Sequence, residues 1–307
     1  MISYEEGIEL DTTIEMVSST IAIIDIKTLN FATPEEEELS KRLYKTRHKL
    51  ETGEWEYKDL EDIRNNCREI YNEYQSRPIP TEIQTPNETE EALYQYAERL
   101  LEAKIYPSFF DYAKPQKHPQ GFMIGGQPGV GKNNTKNEVI QPMGSDVIVI
   151  NMNEFRRYHP HIQKIHTQYG KYHSTYTHEF ACYIADKIFE RALEGNYNIV
   201  IESSFRNADT ILAILRRMKA QGYQTGVAMV AVPAEESWQR IVDRFTYQTK
   251  EGEAYPRFTP KSYHDSAIDY IAANSNIVQQ SGLADTFIIN DQQGNRLYTW
   301  YKSETVR

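Results

Sequence analysis

Apolar and polar positions along this chain follow two regimes that change near residue ~80. Before that point the spacing is helical. Thr33-Pro34-Glu35-Glu36 has an N-cap threonine, a proline in the first turn and a glutamate placed for a capping box. Leu39, Leu43 and Leu50 then form an apolar stripe, and Gly53 can end the helix. A second helix is predicted with Ile63, Cys67, Ile70, Tyr71 and Tyr74 on one face. Ahead of both lies Thr20-Ile21-Ala22-Ile23-Ile24-Asp25-Ile26, a β-like run rich in β-branched residues. Arg77-Pro78-Ile79-Pro80, with Pro86 close behind, reads as a linker.

After the linker, apolar runs and helical stretches alternate. A helix is expected from about Glu88 to Ala103, then a strand over Gly121–Gly125 and a weak, Asn-rich helix over Asn134–Met143. Further strands are expected at Asp146–Ile150, Tyr197–Ile201, Val227–Val232 and Thr286–Ile289. Helices over Tyr176–Leu193 and Thr210–Gln221 separate the middle ones, and Asp291-Gln292-Gln293-Gly294 can close a hairpin into Leu297–Tyr301. This predicts an α/β fold: a doubly wound, mainly parallel sheet with flanking helices over residues 81–307. A small helical N-terminal module over residues 1–80 precedes it.

At 307 residues the chain is long enough for two such units. Its net charge of −10 argues against nucleic-acid or anionic-membrane partners. No apolar run approaches the roughly 20 residues that a membrane helix needs, and no secretory leader is evident. Cys67 and Cys182 fit a reducing compartment, and they also allow one disulfide. A cytoplasmic protein is the expectation.

The strongest chemical signal is Gly125-Gly126-Gln127-Pro128-Gly129-Val130-Gly131-Lys132-Asn133. Small residues let successive backbone N–H groups wrap phosphates, and a lysine at the end of the loop reaches the terminal ones. The residue after that lysine normally supplies a hydroxyl to Mg²⁺, and here it is Asn133. The preceding strand and following helix make this a phosphate loop aimed from a helix N-terminus. Gly126 to Asn133 are therefore the candidate ATP-binding residues.

In doubly wound sheets ligands lie beyond the carboxyl ends of the strands. Glu202 ends one such strand and suits a Mg²⁺ contact, with Arg206 just after it. Arg244 and Arg257 bracket Phe245 to Pro256, a polar segment read as a mobile lid that closes two cations over a transferring phosphoryl group. His159, His161, His166, His173 and His178 match no zinc spacing and read as surface or packing residues.

These blocks in their order resemble the zeta-toxin family of bacterial toxin–antitoxin kinases. The resemblance rests on Gly125–Lys132, on Val147-Ile148-Val149-Ile150 with Phe155-Arg156 and His159-Pro160, and on Tyr197–Glu202 with Arg206. Gly222-Tyr223, Ala231-Val232-Pro233, Arg244 and Arg257 through Asp265 continue it, so that it spans roughly Glu88 to Trp300. It implies a P-loop kinase that moves the ATP γ-phosphate to the 3′-hydroxyl of the amino sugar in UDP-N-acetylglucosamine, blocking cell-wall precursor synthesis. It also implies Lys132 on the β- and γ-phosphates, Arg244 and Arg257 on the transferring group, and Asp186, Glu202 and Arg206 at the sugar nucleotide. Mg²⁺ would be held by Asn133 and Glu202.

Two departures bear on that activity. Asn133 replaces the family's Ser or Thr, and Asn153 stands where the family has an aspartate taken as general base. An amide cannot accept a proton at neutral pH. Glu154 or Asp186 is the available substitute. The alternative reading is a degenerate, nucleotide-binding pseudokinase that works through protein contacts. The family's separate antitoxin obstructs the nucleotide site, and residues 1–80 could do so in cis or serve equally as a docking or oligomerisation appendage.

Overall fold

Side-chain N-caps from Ser3, Thr33, Thr89 and Asn207 open four of the helices. A computed structural model describes residues 1–29, 31–77 and 89–302. Helix α1 runs Tyr4–Lys27, opened by a capping box between Ser3 and Glu6. The Thr20–Ile26 run is thus helical rather than extended. Its β-branched residues face protein on nearly every side, because α1 is buried at most positions from Gly7 to Asp25, and burial overrides strand propensity. Its threonines spend their hydroxyls on carbonyls one turn back, as Thr12 does on Ile8 and Thr20 on Met16.

Helix α2 (Pro34–Thr52) has the expected Thr33–Glu36 capping box and ends on Gly53 at φ 83°. Helix α3 spans Leu60–Ser76. The three pack together, and Leu10, Val17, Ile21, Leu43, Leu60 and Cys67 join one buried cluster with strand and helix residues of the larger unit. Most of the proposed linker, including Pro78 and Pro86, lies outside the described residues.

The expected single helix at 88–103 is broken. Helix α4 (Glu90–Leu100) passes through a π-helical turn, Leu101–Ile105, into α5 (Tyr106–Phe110). Strand β1 (Gln120–Gly125) then leads to α6 (Asn133–Ile140), and β2 (Val147–Ile150) follows. Helices α7 (Ile162–Tyr169), α8 (His173–Tyr176) and α9 (His178–Glu194) precede β3 (Asn198–Ser203). Helix α10 (Ala208–Ala220) precedes β4 (Gln224–Val230). Helices α11 (Ala234–Lys250) and α12 (Lys261–Gln280) lead to β5 (Thr286–Asn290) and β6 (Arg296–Tyr301).

The sheet order is β2-β3-β1-β4-β5-β6. The first five strands are parallel and β6 pairs antiparallel to β5. Strand β1 is therefore flanked by β3 and β4, and the loop after it opens where the winding direction reverses. Register pairs Ile124 with Glu202 and Gly125 with Ser203, which sets the acid of β3 beside the phosphate loop. The proposed lid is shorter than expected. Phe245 to Lys250 complete α11, and only residues 251–260 are irregular. Cys67 and Cys182 are both free thiols.

Candidate active site

The loop after β1 has the backbone its glycines predict. Gly129 sits at φ +86°, and a Cβ there would run into the Ser237 carbonyl. Gly131 sits at φ +72° beside Arg240, a region that L side chains rarely adopt. The Gln127 carbonyl accepts from the Val130 N–H at 3.3 Å, which closes the turn, and α6 begins at Asn133. Lys132, Asn133 and Lys136 are thereby aimed into one cleft.

Five cations converge there: Lys132 from the loop, Lys136 from α6, Arg240 and Arg244 from α11, and Arg257 from the irregular segment. Lys132 and Arg244 make no ion pair within 4.0 Å among the described residues. Burial lowers the proton affinity of Lys132. Burial, reinforced by nearby Arg257, brings the Arg244 guanidinium down to about 9. Concentrated, desolvated positive charge of this kind fits a polyanion.

Helix α1 occupies the place where that anion would sit. Asp11 accepts from the Asn133 amide at 2.9 Å and lies 4.0 Å from Arg240. Glu15, one turn on, is paired to Arg157 and, at 3.3 Å, to Arg257. Burial alone would raise the Glu15 carboxyl. Arg257 and Arg157 outweigh it and hold the group near about 2. The α1 backbone adds its Gly7 carbonyl to Asn133 at 3.5 Å and its Tyr4 carbonyl to Arg240 at 3.1 Å. The space left in the cleft is about 40 Å³, room for roughly three waters and not for a nucleotide.

A second contact comes from α2. Glu51 is paired to Lys136, which also reaches Glu202 at 3.2 Å. Burial works against the Glu202 charge, but Lys136 and Lys132 hold its carboxyl below the ordinary value. Glu154 goes the other way: burial, then the neighbouring Glu51 carboxyl, push it well up. Two carboxyls thus share one buried site, an arrangement that keeps one of them protonated.

Of the residues expected from sequence, Lys132, Asn133, Glu202, Arg244 and Arg257 come together here. Gln127 and Val130 are buried within the loop. Asn153 does not line this cleft: its oxygen accepts from Arg156 at 3.1 Å and its amide donates to Asn151 at 3.1 Å. Arg206 is exposed and stacks over Tyr263 at 4.4 Å. Asp186 lies on the outer face of α9, paired to Arg217 at 3.2 Å, and the structure does not bring it to the cleft. Among the histidines, His173 faces the Pro256 carbonyl at 3.4 Å and His159 packs edge-on to Phe180. Sequence reading missed Arg240, one helical turn before Arg244, and Lys136, one turn after Lys132. It also missed Asp11, Glu15 and Glu51, whose place here is a tertiary fact.

Known proteins resemble this chain over most of its length. The zeta toxin family model matches residues 108–302, and the chain belongs to the zeta toxin family. It is 25% identical over 222 residues to a Toxin zeta of Streptococcus pyogenes, covering 72% of this chain and 74% of that one. It is 26% identical over 193 residues to a Toxin zeta of Enterococcus hirae, covering 63% of this chain and 68% of that one. A solved structure from the PezAT chromosomal toxin–antitoxin system of Streptococcus pneumoniae superposes with a TM-score of 0.59 at 20% identity. That match covers 71% of this chain and 83% of the other. No helix among the described residues is long and apolar enough to cross a membrane.

Proposed function

Given that membership, we propose that this chain is an ATP-dependent toxin kinase. It phosphorylates a hydroxyl of UDP-N-acetylglucosamine or a related sugar nucleotide, and its own N-terminal module holds it inactive. The observation that carries the reading is the pairing of α1 carboxylates with the phosphate-site cations. A cleft that needs two carboxylates to fill it is built for phosphate.

With α1 withdrawn, the loop N–H groups and Lys132 would take the β- and γ-phosphates. Arg244 and Arg257 would neutralise the transferring group, where positioning and charge dominate catalysis. Glu202 and the Asn133 amide oxygen are hard oxygen donors at the mouth of the loop and fit Mg²⁺. When bound, the ion would neutralise phosphate charge. The acceptor oxygen bonds to the γ-phosphorus as the bond to the bridging oxygen breaks, leaving ADP, and the hydroxyl proton passes to a neighbouring carboxylate or to water. Asn153 cannot take that proton; Glu154 lines the cleft one residue on and would take it once separation from the Glu51 carboxyl leaves it ionised. Arg206, exposed just after β3, is the proposed sugar-nucleotide residue.

The pseudokinase reading is favoured by one observation, that both Asn133 and Asn153 are engaged in protein hydrogen bonds. The two readings separate in one assay on the full chain and on an Asp11→Ala/Glu15→Ala variant, each given ATP, Mg²⁺ and a panel of UDP-sugars and read by mass spectrometry. Phosphorylated UDP-N-acetylglucosamine is expected chiefly from the variant. Equal product from both chains would remove inhibition in cis. ATP binding without product from either would favour the pseudokinase. Substitution is preferred to truncation because Leu10, Val17 and Ile21 belong to the shared core.

A further inference from the structure

Beneath the phosphate loop lies a buried hydrogen-bonded relay that the cleft itself does not use. Gln127 is 5% exposed. Its amide donates to the Val232 carbonyl at 2.9 Å and to the Ser237 hydroxyl at 3.4 Å. Ser237 is fully buried, and its hydroxyl donates to the Ala234 carbonyl at 3.0 Å. His264, 1% exposed, meets Ser237 through Nε2 at 2.9 Å and Asp265 through Nδ1 at 3.0 Å. Lys261 holds Asp265 in turn at 2.8 Å.

Serine, histidine and aspartate in series have the makeup of a hydrolytic triad, but the surroundings exclude one. The Ser237 oxygen has no access to solvent, and it is enclosed by Gln127, His264 and its own helix. A nucleophile needs an open position in front of it and donors for an oxyanion. The relay connects structure instead.

What it connects is specific. Ser237, Arg240 and Arg244 are spaced i, i+3 and i+7 on α11, so they share one face of the helix. Ser237 is also the point where α11 touches the loop crest, since its carbonyl closes off the space beside Gly129. The first residue of that face thus fixes the helix to the phosphate loop, and the next two point into the cleft. His264 comes from α12, which starts four residues after Arg257.

We propose that His264 is a positioning residue for phosphoryl transfer: by clamping Ser237 it fixes the phosphate loop and the Arg240–Arg244 face in one relative alignment. The inference rests on the kinase reading for its effect on rate, but not for its effect on the loop. A displacement of about 1 Å in such a site can cost on the order of 10²-fold in rate.

The test compares hydrogen exchange and turnover in the full chain for wild type, His264→Ala, His264→Gln and Ser237→Ala, each also in the Asp11→Ala/Glu15→Ala background. His264→Ala is expected to raise amide exchange about tenfold in residues 125–132 and 237–244, with β2 and β3 unchanged. Turnover in the released background should fall about 10²-fold in kcat with little change in the KM for ATP. His264→Gln keeps a donor for Ser237 and should recover most of both. Exchange that rises evenly over the chain, or a loop that stays protected, would overturn the proposal. Should His264→Ala not fold, Ser237→Ala decides by the same readouts. Absence of transfer in every chain would count against the kinase reading, while loop exchange would still judge the relay.

Discussion

The Asp11 carboxylate accepts a hydrogen bond from the Asn133 side-chain amide at 2.9 Å. The residue that departs from the phosphate-loop pattern is thus the one that the N-terminal helix grips. A threonine there would lose the long amide reach to Asp11 and the contact to the Gly7 carbonyl. Hydrogen bonds to a charged group contribute about 1.5–3 kcal/mol. Asn133→Thr should therefore strengthen ATP binding to the full chain by about tenfold or more, measurable by calorimetry. Unchanged or weaker binding would separate Asn133 from the latch.

Lys132→Ala should abolish ATP binding in the Asp11→Ala/Glu15→Ala background. In the otherwise wild-type chain it should leave the melting temperature unchanged or higher, because Lys132 is desolvated there and makes no ion pair within 4.0 Å among the described residues. Removing a buried charge without a partner relieves its desolvation cost. A large loss of stability would show that the lysine supports the fold.

Arg257 has two jobs that one substitution pulls apart. It pairs with Glu15 at 3.3 Å, and in the proposed reaction it faces the transferring phosphoryl. Arg257→Ala should loosen α1 and increase protease sensitivity of the N-terminal module, since one partner of a buried charge is lost. In the released background it should lower kcat more than ATP affinity. Parallel losses in both would assign it to nucleotide binding alone.

Asp25 ties α1 to both neighbours, accepting from Tyr44 of α2 at 2.6 Å and from Tyr158 at 3.0 Å. Burial raises its carboxyl to about 6, against the pull of Tyr44 and Lys104. The folded chain therefore holds this proton more tightly than the unfolded one. The stability it contributes is complete below the unfolded value of about 4 and is lost as pH rises through about 6. Asp25→Asn should flatten the stability difference between pH 4 and 7, by up to about 3 kcal/mol. Urea titrations of both proteins across that range check it. Parallel curves would mean that Asp25 titrates normally.

Asn153 bridges Asn151 and Arg156 through its amide. Asn153→Asp would keep the acceptor for Arg156 while restoring a carboxylate, at the cost of facing the Asn151 oxygen. If proton removal limits transfer, Asn153→Asp with Asn133→Thr should raise turnover by about 10²-fold or more in the released background. No change in an active enzyme would show that the base lies elsewhere, with Glu154 next to test.

Much of the fold was legible because local rules and tertiary demands agree. The Thr33–Glu36 box, the Gly53 stop and the β-branched strands 147–150 and 198–203 each satisfy propensity and burial together. The phosphate loop was legible because its glycines are required by backbone geometry at Gly129 and Gly131. The Thr20–Ile26 run misled because a helix buried on all sides has no polar stripe, so its pattern resembles that of a central strand. The reading of Phe245–Lys250 as lid misled because α11 carries polar residues past its last cleft contact.

Sequence by itself determined that this chain has a strand–glycine loop–helix unit with Lys132 at its end, and which strand ends would surround it. Those features depend on residues near each other in the chain. Only the tertiary structure decided that Asp11, Glu15 and Glu51 fill that cleft, or that His264 clamps Ser237 beneath it. Such contacts join positions 27 to 242 residues apart. Carboxylates on a solvated helix and carboxylates standing in for phosphate are spelled alike, and only the packing of α1 against the loop separates them.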